Sequence, residues 1–176
     1  FKGKELGKKK LFHEAIEFYS KAIEYNSTFS MGYNARGLAW FALGQFKKSI
    51  ADFNRAIQLD PYFDFAYANR GRCHVELSNS KEALTDFNEA IRLNPKHAMA
   101  YNNKGVLFSG EKQYKEALPL FSLALKIEPM LVEARVSRAI CYYKLKEFSK
   151  ALKECTAVLK LRPKSIKMYS IRAKTC

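Results

Sequence analysis

Little in this sequence points toward a reactive centre, and each absence narrows the field. The four cysteines, Cys73, Cys141, Cys155 and Cys176, lie far apart, with no CxxC pair and no cysteine–histidine cluster. No zinc site has its ligand spacing and no disulfide framework is drawn, so reduced thiols inside a cell are expected. His13, His74 and His97 share no helix turn with one another or with a cysteine. A glycine-rich phosphate loop is missing, and no carboxylate pair stands isolated among apolar neighbours. No apolar run reaches the roughly 20 residues that a membrane-spanning helix needs, and no signal peptide is visible. The expectation is therefore no metal, no cofactor, no catalysis and no membrane insertion. What is present is enough apolar material for a core, 48% of 176 residues, which separates the chain from disordered compositions.

Proline is scarce, with five in all, but four of them (Pro61, Pro95, Pro129, Pro163) stand 34 residues apart. Gly37, Gly71 and Gly105 keep the same interval, continued by Ala139 and Ala173. A third series runs Phe53, Phe87, Phe121 and Cys155, with Ser49, Ala83, Ala117 and Ala151 before it and Ala56, Ala90, Ala124 and Val158 after. Spacings of three and four inside each repeat are helical. Each repeat thus reads as two helices joined near "GQF", "SNS", "KQY" or "KEF" and stopped by its proline, which cannot continue a helix. Pro119 is off the beat and is expected in the first turn of its helix, where a missing N–H costs least.

This pattern resembles the tetratricopeptide repeat family. The matching stretches are "YNARGLAW…SIADFNRAIQLDP", "YANRGRCHVEL…ALTDFNEAIRLNP" and "YNNKGVLF…ALPLFSLALKIEP". The resemblance implies an all-α fold, a right-handed α-α superhelical solenoid. It would be a single array over residues 1–176: a partial repeat over about 1–29, repeats 30–63, 64–97, 98–131 and 132–165, and a fragment 166–176. The pattern starts and stops inside a helix, so a piece of a longer array, truncated at both ends, is expected. The repeat 132–165 departs most from the family pattern, with Arg135, Ala139, Cys155 and Val158 at signature places.

A basic residue returns on the same beat: Arg36, Arg70, Lys104 and Arg138. Sixteen residues after each arginine stands an acid, giving Arg36 with Asp52, Arg70 with Asp86 and Arg138 with Glu154. The lysines lack one: Lys104 meets Leu120 and Lys2 meets Phe18. Arginine's planar fork suits a carboxylate better than lysine's point charge does, so these read as structural ion pairs rather than ligand contacts.

Function is expected on the opposite stripe of the first helices. Phe65, Asn69, Arg72 and Glu76 share that stripe in one repeat, and Met31, Ala35 and Leu38 or Met99, Asn103 and Val106 hold it in its neighbours. In the family this face lines the concave groove. The resemblance therefore implies a peptide-binding groove built on Asn34, Phe65, Asn69, Arg72, Met99, Asn102 and Asn103. Asparagine amides can grip the backbone of an extended peptide, because each offers a donor and an acceptor. The family's carboxylate clamp is disfavoured, since its places hold Asn34, Leu38, Asn69, Met99 and Asn103.

Charge is uneven. Residues 132–176 carry a net +9, residues 1–13 carry +4, and the stretch between them carries +1. Such ends favour acidic protein partners, tails like those of tubulin among them, while nucleic acid is a weaker candidate. The sequence thus points to a non-catalytic protein-interaction scaffold. It would capture an extended or helical segment in its groove, with basic ends on acidic surfaces. The alternative is a spacer docked on a microtubule or other filament through convex and basic surfaces. Either role fits an intracellular, cytoplasmic setting, cytoskeletal or ciliary structures included.

Overall fold

The 34-residue beat becomes a helix hairpin repeated along the chain. The computed structural model describes the backbone of residues 2–175 and the side-chain surroundings of residues 9–174. Ten helices and no strand occur among the described residues. Residues 1–95 form one compact half and residues 96–176 another. The N-terminal half holds α1 (Lys2–Tyr25), α2 (Ser30–Ala42), α3 (Phe46–Leu59), α4 (Asp64–Glu76) and α5 (Ser80–Leu93). The C-terminal half holds α6 (Ala98–Gly110), α7 (Tyr114–Ile127), α8 (Val132–Lys144), α9 (Phe148–Leu161) and α10 (Ile166–Thr175). Within each half every helix packs on the next in sequence.

The hairpins close by one device. Gly44, Ser78, Lys112 and Lys146 sit in the left-handed region with φ of 72°, 61°, 63° and 62°. After each of them an amide reaches back: Gln45 N–H to the Trp40 carbonyl at 2.9 Å, and Asn79 N–H to the His74 carbonyl at 2.8 Å. Gln113 N–H bonds the Phe108 carbonyl and Glu147 N–H the Tyr142 carbonyl, both at 2.9 Å. This pattern satisfies carbonyls that a helix end leaves open and turns the chain sharply into the second helix.

Contact explains why small residues recur. Phe53, Phe87 and Phe121 are fully buried. A β-carbon added at Gly37, Gly71 or Gly105 would come within 2.7 Å of the ring below it, so only glycine lets helix and ring approach this closely. Ser49 bridges the first of these hairpins through a 2.6 Å hydrogen bond to the Gly37 carbonyl. In the C-terminal half Ala139, Cys155, Val158 and Met168 form a core with no aromatic at its centre.

Two elements depart from the simple pattern. Helix α1 runs unbroken through Lys10, which stands 34 residues before Gly44, and a Lys10–Glu14 pair at 3.7 Å spans the place where a turn would fall. Pro119 lies in the second turn of α7, not the first. It therefore deprives the Lys115 carbonyl of a helical donor, a loss that an exposed carbonyl can make good with water. No helix among the described residues is long and apolar enough to cross a membrane.

Candidate functional site

The recurring arginines come first, because they fix the first helices whose outer faces are the candidate site. Arg36 Nε and Nη2 donate to the two carboxylate oxygens of Asp52 at 2.9 and 2.7 Å. Arg70 grips Asp86 in the same way at 2.9 and 2.6 Å. Each arginine also reaches sixteen residues backward: Arg36 Nη1 to Ser20 Oγ at 3.1 Å, Arg70 Nη1 to Asn54 Oδ1 at 2.7 Å, and Arg138 Nη1 to Ser122 Oγ at 3.2 Å. One guanidinium thus ties its own hairpin to the preceding second helix. The backward acceptor was overlooked in the sequence, although Ser20, Asn54 and Ser122 keep the 34-residue interval. The Asp52 hydrogen bond raises the Arg36 pKa against the pull of burial. Burial works against the charge on Arg70, but the hydrogen bond and charge of Asp86 overcome it and raise that pKa too.

Arg138 is held differently. Its Nη2 meets Glu154 Oε1 at 2.6 Å, while Arg135 Nη1 stands 3.6 Å from the other oxygen. Arg138 Nε, Arg135 Nε and Glu154 Oε2 are buried without a hydrogen-bond partner. Lys2, Lys4 and Cys176 fall outside the residues whose side chains are described.

On the outer face of the N-terminal half, Met31, Leu38 and Phe65 are 64%, 37% and 52% exposed. Asn69 Nδ2 donates to Asn34 Oδ1 at 3.0 Å, linking α4 to α2. Part of the hydrogen-bonding capacity of these amides is therefore used within the protein. The Arg72 guanidinium lies 4.5 Å from the centre of the Phe41 ring, a cation–π contact that holds its head beside the stripe. In the C-terminal half Met99 and Val106 are exposed on α6. Asn102 is buried, its Nδ2 3.7 Å from Met99 Sδ and 3.4 Å from Asn103 Oδ1, so a ligand does not reach it in this arrangement. Its place matches Asn34 in the repeat, but the amide has turned inward, and Asn102 Oδ1 and Asn103 Nδ2 are left without partners.

Acids in the last stretch are all committed. Glu133 pairs with Arg162 at 2.7 Å, Glu147 with Lys150 at 2.6 Å, and Glu154 with Arg138. The surplus positive charge of residues 132–176 thus has no carboxylate of that stretch left to answer it.

Cys73, Cys141 and Cys155 are buried and free. Burial pushes all three thiol pKa values up, which keeps them protonated and poorly nucleophilic. Among the described residues no group of three histidine, cysteine or acidic side chains is placed to hold a metal ion.

Comparison with known proteins agrees with this geometry. Models described as tetratricopeptide repeat match residues 30–63 and 65–97, 109–175, 87–118 and 1–29. No match was found among curated proteins. Among solved structures, TTC0263, a thermophilic TPR protein in Thermus thermophilus, aligns with a TM-score of 0.82 at 18% identity, over 98% of this chain and 94% of that one. YrrB, a TPR protein with an unusual peptide-binding site, aligns with a TM-score of 0.69 at 24% identity, over 89% of this chain and 81% of that one. The Arabidopsis OM64 TPR domain shares 28% identity over 64% of this chain and 93% of its own, with a TM-score of 0.61. Repeat, packing and comparisons agree: the chain belongs to the tetratricopeptide repeat family, whose members serve in general as non-catalytic scaffolds for protein interactions.

Proposed function

We propose that this chain is a non-catalytic scaffold that captures an extended or helical segment of a partner protein on the outer faces of its first helices. One observation carries the reading: three large apolar side chains, Met31, Leu38 and Phe65, stand exposed on α2 and α4 around the Asn34–Asn69 bond. Exposed apolar groups gathered on one face, with polar groups beside them, mark interaction sites. Phe65 supplies the anchor, and Asn69 and Arg72 supply direction. Asn103 with Met99 plays the corresponding part on α6. The peptide-binding site of YrrB, a protein of the same fold, supports the same choice of partner. The basic stretches add contacts to acidic surfaces of a larger assembly, tubulin-like tails included.

The test is selection of peptides from a random displayed library against the whole chain, followed by titration of the selected peptides. Phe65→Ala should weaken them about tenfold or more, as truncating a central aromatic anchor does. Asn69→Ala and Asn103→Ala should each cost about 0.5–1.5 kcal/mol per lost hydrogen bond. Moderate salt should change little, since the anchor is apolar. Parental affinity in all three variants would remove these faces as the site. Steep loss of binding with salt would favour docking through the basic surfaces instead.

A further inference from the structure

We propose that the outer face of α9 is a docking strip for an acidic polypeptide segment whose carboxylates stand three residues apart. The proposal rests on the electrostatic part of the reading above and gives it a location. Ser149, Lys153, Thr156 and Lys160 recur at spacings of four, three and four, so they line one stripe of the helix. All four are exposed. With Leu152 and Ala157 they border an open hollow of about 490 Å³.

Three observations make this stripe different from its counterparts. First, Glu133, Glu147 and Glu154 are all taken by other cations, so no carboxylate of this stretch is left for Lys153 or Lys160. Second, the matching places carry at most one lysine or arginine in each earlier repeat: Ala51 and Gln58 on α3, Thr85 and Arg92 on α5, Pro119 and Lys126 on α7. Arg92, moreover, is neutralised by Glu89 at 2.6 Å. Only α9 presents two such cations in line.

Third, the spacing and the floor select the partner. Lys153 and Lys160 are seven residues apart, about 10.5 Å along the axis at roughly 1.5 Å per residue. In an extended strand, residues three apart are separated by about 10 Å at roughly 3.3 Å per residue. A glutamate–x–x–glutamate segment therefore sets one carboxylate on each lysine. The aliphatic floor of Leu152 and Ala157 accepts the methylene stems between them. A nucleic acid is the poorer fit, because the stripe has no aromatic platform for bases and no arginine fork for phosphates.

The experiment titrates the whole chain with a labelled peptide carrying two glutamates three residues apart in a serine–glycine background. Lys153→Gln with Lys160→Gln should weaken it about three- to tenfold at low salt, the loss expected for two exposed ion pairs. Lys164→Gln with Lys167→Gln changes the net charge equally, off the stripe, and should leave affinity within about twofold. A peptide with adjacent glutamates should bind more weakly than the spaced one. Equal losses in the two double variants would reduce the effect to general electrostatics and overturn the strip. So would tighter binding of a single-stranded oligonucleotide of the same charge. Phe65→Ala separates the two readings. If it abolishes binding of the acidic peptide, that peptide sits on the first-helix face and not on α9. If it leaves binding unchanged, the strip stands whatever becomes of the apolar site.

Discussion

The two halves repeat one sequence plan and hold it together unequally. In the N-terminal half, Arg36 and Arg70 each grip an aspartate through two parallel hydrogen bonds. In the C-terminal half, Lys104 stands where an arginine would, and Arg138 makes a single hydrogen bond to Glu154. Glutamate's extra methylene carries its carboxylate past the fork, so Arg138 Nε and Glu154 Oε2 are left unbonded. Net charge follows the same division: residues 1–95 carry +3 and residues 96–176 carry +11. The arginine–aspartate pair is thus a device for repeat geometry that the second half has partly given up, while that half gathers cations suited to binding.

The largest expected effect tests the hydrophobic side of this contrast. Phe87 is fully buried beneath Gly71, and truncation to alanine should cost about 3–5 kcal/mol. Cys155 occupies the corresponding place in α9, also fully buried. Cys155→Ala removes one atom and should cost about 1 kcal/mol. Urea denaturation of both variants measures the difference, and equal losses would show that the core of the second half is as tightly specified as the first.

Arg70→Met against Arg138→Met sharpens the polar side. Losing Arg70 leaves Asp86 nearly enclosed, its only other cationic neighbour being His74 Nε2 at 3.9 Å. Breaking such a pair costs about 3 kcal/mol or more. Losing Arg138 leaves Arg135 beside Glu154 at 3.6 Å, ready to take over, so a loss of about 1–2 kcal/mol is expected. The double variant Arg135→Met/Arg138→Met should then cost more than the sum of its single changes.

Much of this was legible because register is rigid. A repeat of 34 residues with glycine above phenylalanine leaves a single way to pair its helices, so helix positions follow from proline and glycine alone. The sixteen-residue step from Arg70 to Asp86 could be read for the same reason. Contacts that depend on a side chain's last rotation could not. Nothing in the letters separates Asn69, which commits its amide to Asn34, from Asn102, which turns inward toward Met99. Nor could the sequence show that Arg162 and Lys150 would claim Glu133 and Glu147, because exposed partners are chosen by local rotamers. Helix α1 was unreadable for a different reason: a turn that tolerates lysine at Lys112 and Lys146 gives no sign that Lys10 stays helical.

That turn supplies a smaller and opposite effect. Gly44 meets the left-handed conformation at no steric cost, while Lys146 meets it with φ of 62°. A side chain there costs about 1–2 kcal/mol, partly offset by the freedom glycine has in the unfolded chain. Lys146→Gly should therefore raise stability by about 0.5–1 kcal/mol, and Gly44→Lys should lower it by a similar amount. Thermal unfolding midpoints moving in these opposite directions would show the two halves turning by one mechanism despite different residues.

The smallest effect concerns pH and the Glu133–Arg162 pair. The Arg162 hydrogen bond, helped by a backbone hydrogen bond at the start of α8, lowers the Glu133 pKa below its ordinary value of 4.5. A carboxylate whose folded pKa is depressed binds protons more readily in the unfolded chain. Its stabilisation is thus complete above the ordinary value and fades as pH falls through the lowered one. Both side chains are about half exposed, so solvent screening limits the pair to about 0–1 kcal/mol. Arg162→Met should cost that small amount at neutral pH, with no change between mildly acidic and mildly basic conditions. The gap to the parent chain should close only on the acid side of the ordinary glutamate range. A gap that instead opened on acidification would mean that Arg162 stabilises the fold through packing against α8 and not through its charge. It would then be a cation free to meet a partner, and the surplus charge of the second half would grow by one.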